Sequence, residues 1–334
     1  PGTWAVHPPL RHAGWHGLTP TDVVFPCFLF ILGVAIPASL AGRSAPGALL
    51  RVARRTVVIF ALGLVLNAFP AFDWSTVRIP GVLQRIAVCY LLAALLYLVT
   101  GWRAQLAVVV SLLLGYWAVL TLVPVPGFGA GTLTPEGNVA GWVDRAVLGP
   151  HVWRASRLYD PEGVLSTAPA LATVLIGVLA GGWVRAHRAP RTIVTGLVLL
   201  GVVALALGAE WGNWLPLNKA LWTSSYAVLT GGIALLLFAG FYGAIESWGC
   251  RRWATPFVVL GVNALAVYFL SSLAAILLAV TRVGERSLQQ VLFERGFAWW
   301  ATPVNASLAY AVVYLVVWWA AMWGPYRVGV RLRA

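Results

Sequence analysis

Long apolar runs alternate with short polar segments along almost the whole chain. Nine of these runs approach or exceed the roughly 18–20 residues that carry an α-helix across a bilayer. The runs lie at about 23–42, 56–72, 82–100, 105–124, 166–184, 193–208, 224–245, 257–280 and 303–324. We therefore predict an all-α fold, a polytopic transmembrane helix bundle with about nine spans. No repeat or linker divides residues 1–334, which we interpret as a single transmembrane domain.

Two shorter segments outside these runs also have helical patterns. Segment 281–300 has apolar residues at 288, 291, 292 and 297, which predicts a short interfacial helix ending at a tryptophan pair. In the longest loop, 125–165, helical potential extends from Gly141 to Leu148. Two glycines and a proline between positions 14 and 20 argue against a long helix ahead of the first run.

Composition places the chain in a lipid bilayer. The chain is 60% hydrophobic and 10% charged, and its mean hydropathy is +0.84. Soluble domains carry about 25% charged residues, so a water-soluble surface is excluded. The three cysteines have no paired spacing, so we expect neither a disulfide framework nor a structural zinc site.

The net charge of +13 is distributed unevenly between the two sides of the predicted bundle. Loops on one side carry thirteen cations and one acid, whereas loops on the other side carry nine of each. The thirteen are Arg43, Arg51, Arg54, Arg55, Arg103, Arg185, Arg188, Arg191, Arg251, Arg252, Arg327, Arg331 and Arg333. Because cytoplasmic loops are rich in Lys and Arg, this side and the C-terminus are predicted to be cytoplasmic. The positive charge then reports topology, and we expect no nucleic-acid partner.

Titratable groups stand at the start of the first apolar run, on the predicted extracytoplasmic side. His12 and His16 are four residues apart, and Asp22 opens the run. Asp22 is either the N-cap of the first helix or a carboxylate that orients a histidine. A histidine can take and return a proton near neutral pH, which acyl transfer requires. The glutamate of an HExxH motif is missing, so we expect no metal.

Polar residues inside the apolar runs form a second group. Arg85, with Gln84 beside it, lies a few residues into the third run. It either extends to the outer interface or faces the bundle interior, where it would contact an anion or the acyl donor. Asn67 and Asn263 either join helices or, for Asn263, line a cavity.

A third group lies in segment 208–226. This segment contains Asn218, Trp222 and Lys219, the only lysine of the chain. An amide, a cation and indoles in one loop suit a sugar or a phosphate, and the alternative is an anchor at the membrane interface.

Five blocks of the chain carry a family resemblance. They are LRHAGWHGLTPTDVVFPCFLFILGVAIPASL (10–40), RIPGVLQRIAVCYL (78–91), DPEGVLSTAPALATVLIGVLAG (160–181), LPLNKALWTSSYAVLTGG (215–232) and GVNALAVYF (261–269). In this order, and over nearly the whole chain, they resemble the heparan-α-glucosaminide N-acetyltransferase catalytic family and its bacterial branch of transmembrane acyltransferases.

The resemblance implies acetyl transfer across a membrane, from cytosolic acetyl-CoA as co-substrate to an amino sugar or glycan, without a metal. The family histidine of KHASWNG matches His12 in RHAGWHG, and the aspartate of ADLVFP matches Asp22 in TDVVFP. His16 stands where the family has asparagine. Gln84, Arg85, Asn218, Lys219, Trp222, Asn263 and His16 are the expected contacts of substrate or acyl donor. The family has one more helix ahead of Pro1, so the domain is expected to be N-terminally truncated, with nine of ten core helices.

Alternatives remain open at this point. A transporter or flippase of a sugar or envelope precursor would also use interior polar groups and helices broken by Pro26, Pro37 and Pro169. A sensor or scaffold without catalysis is a third class. Transfer to an amine is favoured over transfer to a hydroxyl. The usage of tryptophan, arginine and alanine, with a single lysine, indicates a GC-rich bacterial genome. We therefore expect a bacterial inner membrane protein, and a homodimer is one of the oligomeric states left open.

Overall fold

The computed structural model describes residues 5–42, 44–186 and 188–330, and it confirms the all-α polytopic fold. Arg43, Arg331 and Arg333, which contributed to the predicted topology, lie outside these residues. The helices are α1 (Pro20–Leu40), α2 (Ala45–Ala68), α3 (Val82–Val99), α4 (Trp102–Leu122), α5 (Val139–Leu148), α6 (Thr167–Val184), α7 (Pro190–Trp211), α8 (Ser224–Tyr242), α9 (Thr255–Val262), α10 (Ala264–Val280), α11 (Leu288–Phe293) and α12 (Pro303–Arg327). A small antiparallel hairpin, β1 (Arg282–Val283) and β2 (Arg286–Ser287), precedes α11.

Seven helices in the described part of the chain are long and apolar enough to cross a membrane. They are α1, α3, α4, α6, α7, α8 with its π-helical continuation to Ser247, and α12. The pair α9 and α10 makes an eighth span if the two are counted as one helix bent by 65°. Helix α2 has 24 residues, but Arg51, Arg54 and Arg55 lie in its first half and make it less apolar than the others.

The structure differs from the sequence prediction at the start of α2 and within the span predicted at 257–280. Helix α2 begins at Ala45, eleven residues before the predicted start at 56, because an arginine-rich segment continues the helix without being apolar. The predicted span 257–280 is interrupted at Asn263, where the backbone leaves the helical region between α9 and α10. The break therefore falls at a polar residue within the run, and the mean hydropathy of the run does not register it.

The two short helices predicted outside the spans are present. Helix α5 forms in the long loop, with the Asn138 side chain accepting a hydrogen bond from the Gly141 N–H at its start. Helix α11 begins with a capping box between Ser287 and Gln290 and continues as a π-helix over Glu294–Ala298.

The chain divides into two compact units. The main bundle comprises His12–Ala68 and Phe72–Gly249, and therefore contains α1 to α8. The C-terminal unit comprises the described parts of Pro1–Arg11, Phe69–Ala71 and Cys250–Ala334, and contains α9 to α12. Within the C-terminal unit, α12 packs on α9, and the Trp319 indole N–H donates to the Pro256 carbonyl at 3.2 Å.

Helix α6 lies at the centre of the main bundle, against α1, α3, α4 and α8. Its backbone almost touches that of α1. A Cβ at Gly177 would lie 2.0 Å from the Phe30 carbonyl oxygen, and one at Gly33 would lie 2.0 Å from the Val174 carbonyl oxygen. Small residues allow this close approach, which supplies van der Waals contact where lipid gives no hydrophobic driving force between helices. Facing glycines therefore position α1, whose first turn carries Asp22.

At one end of the main bundle, hydrogen bonds join the N-terminal ends of two pairs of helices, α1 with α8 and α3 with α6. The Tyr226 hydroxyl in the first turn of α8 donates to the Asp22 carbonyl of α1 at 2.6 Å. Arg85 in the first turn of α3 donates to Ser166, the N-cap of α6. The loops 11–19 and 212–223 enter at this same end, so polar groups from distant parts of the sequence converge there.

Candidate active site

The segment ahead of α1 is shaped by a capping box. Thr19 is the N-cap, and Asp22 stands three residues later with reciprocal side-chain to backbone hydrogen bonds. The alternative that Asp22 is itself the N-cap is wrong, because Pro20 already begins the helix. A carboxylate in the first turn is also favoured by the positive end of the helix dipole. The helix start therefore fixes the Asp22 side chain.

The Asp22 carboxylate is buried and fully engaged. Its Oδ2 accepts hydrogen bonds from the backbone N–H of Ala13 at 3.0 Å, the backbone N–H of Thr19 at 3.1 Å and the Thr19 hydroxyl at 2.9 Å. Its Oδ1 faces the Nδ1 of His12 at 2.7 Å. One carboxylate thus caps α1, closes the loop 13–19 and holds the imidazole.

The contact with Asp22 fixes the orientation of the His12 imidazole. Because a carboxylate can only accept, the short contact with Asp22 places the ring proton on Nδ1. The lone pair then lies on Nε2, which has no hydrogen-bonding partner in residues 5–42, 44–186 and 188–330. The side chain is 60% exposed, so a reactant can reach it. This is the base-and-orienter arrangement of general acid–base sites.

Lys219 completes a three-residue cluster with these two residues. Its Nζ lies 3.4 Å from Asp22 Oδ1 and 3.1 Å from His12 Nδ1. Since the Nδ1 proton points to Asp22, Lys219 pairs with the carboxylate and stands beside the imidazole as a second cation. The side chain is 27% exposed. Lys219 was predicted to bind substrate or acyl donor, and the structure places its ammonium beside His12 and Asp22.

Asn218 holds the turn that delivers Lys219. Its Oδ1 accepts from the Leu221 N–H at 2.8 Å, and its Nδ2 donates to the Trp15 carbonyl at 2.7 Å. The Gly17 N–H donates to the Leu217 carbonyl at 2.8 Å beside it. The amide of Asn218 is therefore engaged with the protein, and it ties the turn to the histidine loop.

His16 has different surroundings from His12. Residues 11–19 form no helix, so the two histidines do not share a helical face. The Nδ1 of His16 lies 3.3 Å from Asn218 Nδ2, and partial burial lowers the pKa of its ring. No group of three metal-ligating side chains occurs in the described ranges. Of the two histidines, His12 is the one held by a carboxylate.

Trp222 ends the same turn with an unusual backbone. Its φ is +50°, a left-handed conformation that bulky residues rarely adopt. The strained backbone directs the indole into the bundle, where it is buried between Phe25 and Tyr226 with ring centroids 5.3 Å away from each. Its Nε1–H donates to Thr173 Oγ1 at 3.3 Å.

The neighbouring residues Gln84 and Arg85 point in different directions. Arg85 is 2% exposed and faces the interior, which decides against extension to the interface. Its guanidinium carbon lies 5.3 Å from the centroid of the Trp222 ring. Gln84 packs against α2, where a Cβ at Gly63 would lie 2.4 Å from its Oε1. The two residues therefore do not form one site.

The two asparagines predicted within apolar runs have structural contacts. Asn67 donates to the carbonyls of Arg78 and Pro80, each at 2.8 Å, and so fixes the loop before α3. Asn263 belongs to the C-terminal unit, is buried at the break between α9 and α10, and donates to the Val330 carbonyl at 3.4 Å.

An ion-pair network in the long loop was not foreseen from the sequence. Arg78 donates to Asp160 at 2.9 and 2.5 Å and to Glu162 at 2.5 Å. The Asp144 carboxylate accepts from the backbone N–H of Asp160 at 3.1 Å and of Val164 at 2.8 Å. Burial raises the pKa of Asp144 to about 6. The acidic residues at 160 and 162 were the available signal, but their partner lies 82 residues away.

Comparisons with known proteins agree with the blocks described above. Residues 4–136 match a protein family described as a domain of unknown function, DUF5009. The chain is 30% identical to human heparan-alpha-glucosaminide N-acetyltransferase over 320 residues, covering 77% of this chain and 48% of the human protein. The mouse protein of the same name is 28% identical over 319 residues, with the same coverage. The chain spans about half the length of these curated relatives. It is a distant relative of the heparan-alpha-glucosaminide N-acetyltransferases.

Proposed function

We propose that the chain is a transmembrane acetyltransferase. It takes acetyl from cytosolic acetyl-CoA and transfers it to the amine of an amino sugar or glycan on the extracytoplasmic side. The observation that carries the proposal is the contact of His12 Nδ1 with the buried Asp22 carboxylate, which leaves Nε2 as an accessible base. The named activity of the human and mouse relatives supports the reaction class.

The proposed chemistry uses His12 first as a base and then as an acid. The acceptor nitrogen attacks the thioester carbonyl carbon, and its proton passes to His12 Nε2. The tetrahedral intermediate collapses with cleavage of the C–S bond, and the imidazolium returns the proton to the departing thiolate. Asp22 stabilises the imidazolium, and Lys219 limits its lifetime by repulsion. An acetyl-His12 intermediate would use the same Nε2 atom.

Sidedness follows from the distribution of charge. The loops at the opposite end of the main bundle from His12 include the arginine-rich segments around Arg54, Arg103 and Arg188. The positive-inside rule assigns that end to the cytoplasm and His12 to the outside. We place the protein in a bacterial plasma membrane with its C-terminus in the cytoplasm.

One observation favours the second candidate function, a transporter or flippase. Helices α9 and α10 form a span bent by 65° at the buried Asn263, and broken helices are common at transporter binding sites. A transporter would bind a sugar or envelope precursor and would move no acetyl group.

The test is acetyl transfer by the purified protein in detergent, with radiolabelled acetyl-CoA and either glucosamine or N-acetylglucosamine. Label should move to glucosamine alone, since N-acetylglucosamine has no free amine. His12→Ala should lower kcat/KM by about 10²–10⁴-fold, the contribution of a positioned general base. His16→Ala is the comparison variant and should lose less activity than His12→Ala, because no carboxylate among the described residues holds the His16 ring. Transfer undiminished in His12→Ala would refute the assignment, and absence of transfer by the wild type would favour the transporter.

A further inference from the structure

Arg85 is a buried cation without a counter-ion. It lies in the first turn of α3 and is 2% exposed. No carboxylate lies within 4.0 Å of its guanidinium in the described residues. Asp144 is near enough to interact with it electrostatically, yet both Asp144 oxygens are taken by backbone N–H groups. Burial of an uncompensated charge costs several kcal/mol, so a folded protein retains it only for a reason.

The hydrogen bonds of Arg85 are also incomplete. Its Nη2 donates to the Ser166 hydroxyl and, at 3.3 Å, to the Gly163 carbonyl. Its Nε and Nη1 are buried and find no acceptor in the described part of the chain. The face of the Trp222 ring offsets part of the charge but accepts neither N–H group. The unpaired N–H groups indicate a place for acceptor oxygen atoms that the described residues do not provide.

Arg78 shows that the same region can neutralise an arginine. It lies seven residues earlier and is paired with both Asp160 and Glu162. Segment 160–166 supplies Arg78 with the carboxylates of Asp160 and Glu162. The same segment supplies Arg85 only with the Ser166 hydroxyl and the Gly163 carbonyl. A shortage of acidic residues therefore does not explain the state of Arg85.

We propose that Arg85 anchors an internal oxyanion site, in which Nε and Nη1 donate to a phosphate, sulfate or carboxylate oxygen of a substrate. Trp222 forms one wall, and Ser166 holds the guanidinium in place. Trp222 and Lys219 belong to one turn, so the site adjoins the His12 cluster. The identity of the substrate rests on the proposed function. The oxyanion belongs either to the acyl donor, whose CoA carries phosphates, or to an anionic glycan acceptor.

The first test compares thermal stability without substrate. In Arg85→Met, the Gly163 carbonyl still accepts from the hydroxyls of Ser166 and Thr167, so no acceptor is stranded. We expect the Tm of Arg85→Met to equal or exceed that of the wild type. Arg78→Met, the matched control, strands Asp160 and Glu162 and should lower the Tm. An equal loss of Tm in both variants, or failure of both Arg85→Met and Arg85→Gln to fold, would show a structural role and overturn the proposal.

The second test adds anions to the purified full chain and measures the shift in Tm. The probes are inorganic phosphate, CoA, pantetheine, glucosamine and glucosamine 6-phosphate. A shift with CoA that pantetheine lacks, seen in the wild type but not in Arg85→Met, assigns the oxyanion to the donor. A shift with glucosamine 6-phosphate that glucosamine lacks assigns it to the acceptor. A shift with phosphate alone, seen in the wild type but not in Arg85→Met, still supports an oxyanion site.

If no phosphate-bearing probe distinguishes the wild type from Arg85→Met, the oxyanion site is refuted. Both tests measure stability and binding, and neither requires turnover. A wild type that shifts with anions but transfers no acetyl would therefore refute the proposed function and leave the oxyanion site intact.

Discussion

Among single residues, Asp22 connects folding to the site. Its two oxygens have different partners. Oδ2 accepts the hydrogen bonds that close the loop 13–19 and cap α1, whereas Oδ1 contacts the His12 ring. The orientation of the base is therefore supported by a helix end rather than by a mobile side chain. Rigid support of this kind keeps a catalytic group in one geometry.

Lys219 should affect the rate through its contact with Asp22. Its Nζ lies 3.4 Å from Asp22 Oδ1 and 3.1 Å from the His12 ring. Lys219→Met removes the ion-pair partner of the buried carboxylate, so the His12 ring should be held less firmly. We expect kcat/KM for acetyl transfer to fall, and the assay with radiolabelled acetyl-CoA measures it.

The charge-preserving variant Lys219→Arg is the control for this prediction. It should lose less activity than Lys219→Met, because it keeps a cation beside Asp22. An equal loss of activity in both variants would show that the charge of Lys219 does not support the base.

Among the helices, apolar runs predicted nearly every spanning element, because a bilayer demands about 20 apolar residues whatever their neighbours. The same criterion missed the start of α2, where arginines continue the helix. It also missed the break at Asn263, a single polar residue that hardly changes the mean hydropathy of the run. Hydropathy measures transfer into lipid and carries no information on where the backbone bends.

The close contact of α1 and α6 gives a direct test of this packing. Gly177→Ala would place a Cβ 2.0 Å from the Phe30 carbonyl oxygen and force the helices apart. We expect a loss of at least about 1–3 kcal/mol in unfolding free energy, the usual cost of overpacking. Thermal or denaturant unfolding in detergent would measure it.

Gly182→Ala is the matched control on the same helix. A Cβ at Gly182 meets nothing within 4 Å, and alanine is the better helix former. Its unfolding free energy should be unchanged or higher by up to about 1 kcal/mol. Equal destabilisation by both substitutions would mean that the α1–α6 contact does not determine stability.

At the scale of the whole molecule, the sequence indicated site residues that are close in the chain, but it did not indicate contacts between residues that are far apart in the chain. His12 and Asp22 are ten residues apart. Two histidines near a carboxylate at a helix start drew attention to this segment, and the family resemblance favoured His12 over His16. The approach of Lys219 to His12 joins residues 207 positions apart and depends on how α1 and α8 pack. The same limit applied to Arg85, whose interior orientation depends on α6 and Trp222.

The predicted topology can be tested with the chain's own cysteines. Cys250 is exposed in the arginine-rich segment after α8, whereas Cys89 is buried and Cys27 is partly buried. A membrane-impermeant maleimide should label Cys250 in inside-out vesicles and leave it unlabelled in right-side-out vesicles. Ala155→Cys in a Cys250→Ser background places a thiol in the opposite, exposed loop and should give the reverse pattern. Labelling of Cys250 from the outside would invert the proposed orientation.

Sealed vesicles can measure acetyl transfer across the membrane with His12 as the base. Inside-out vesicles loaded with glucosamine would receive radiolabelled acetyl-CoA on their outer, cytoplasmic face. We expect N-acetylglucosamine inside vesicles that contain the wild type, and none above background with His12→Ala. Equal product in the lumen with His12→Ala, or label that never reaches the lumen with the wild type, would contradict it.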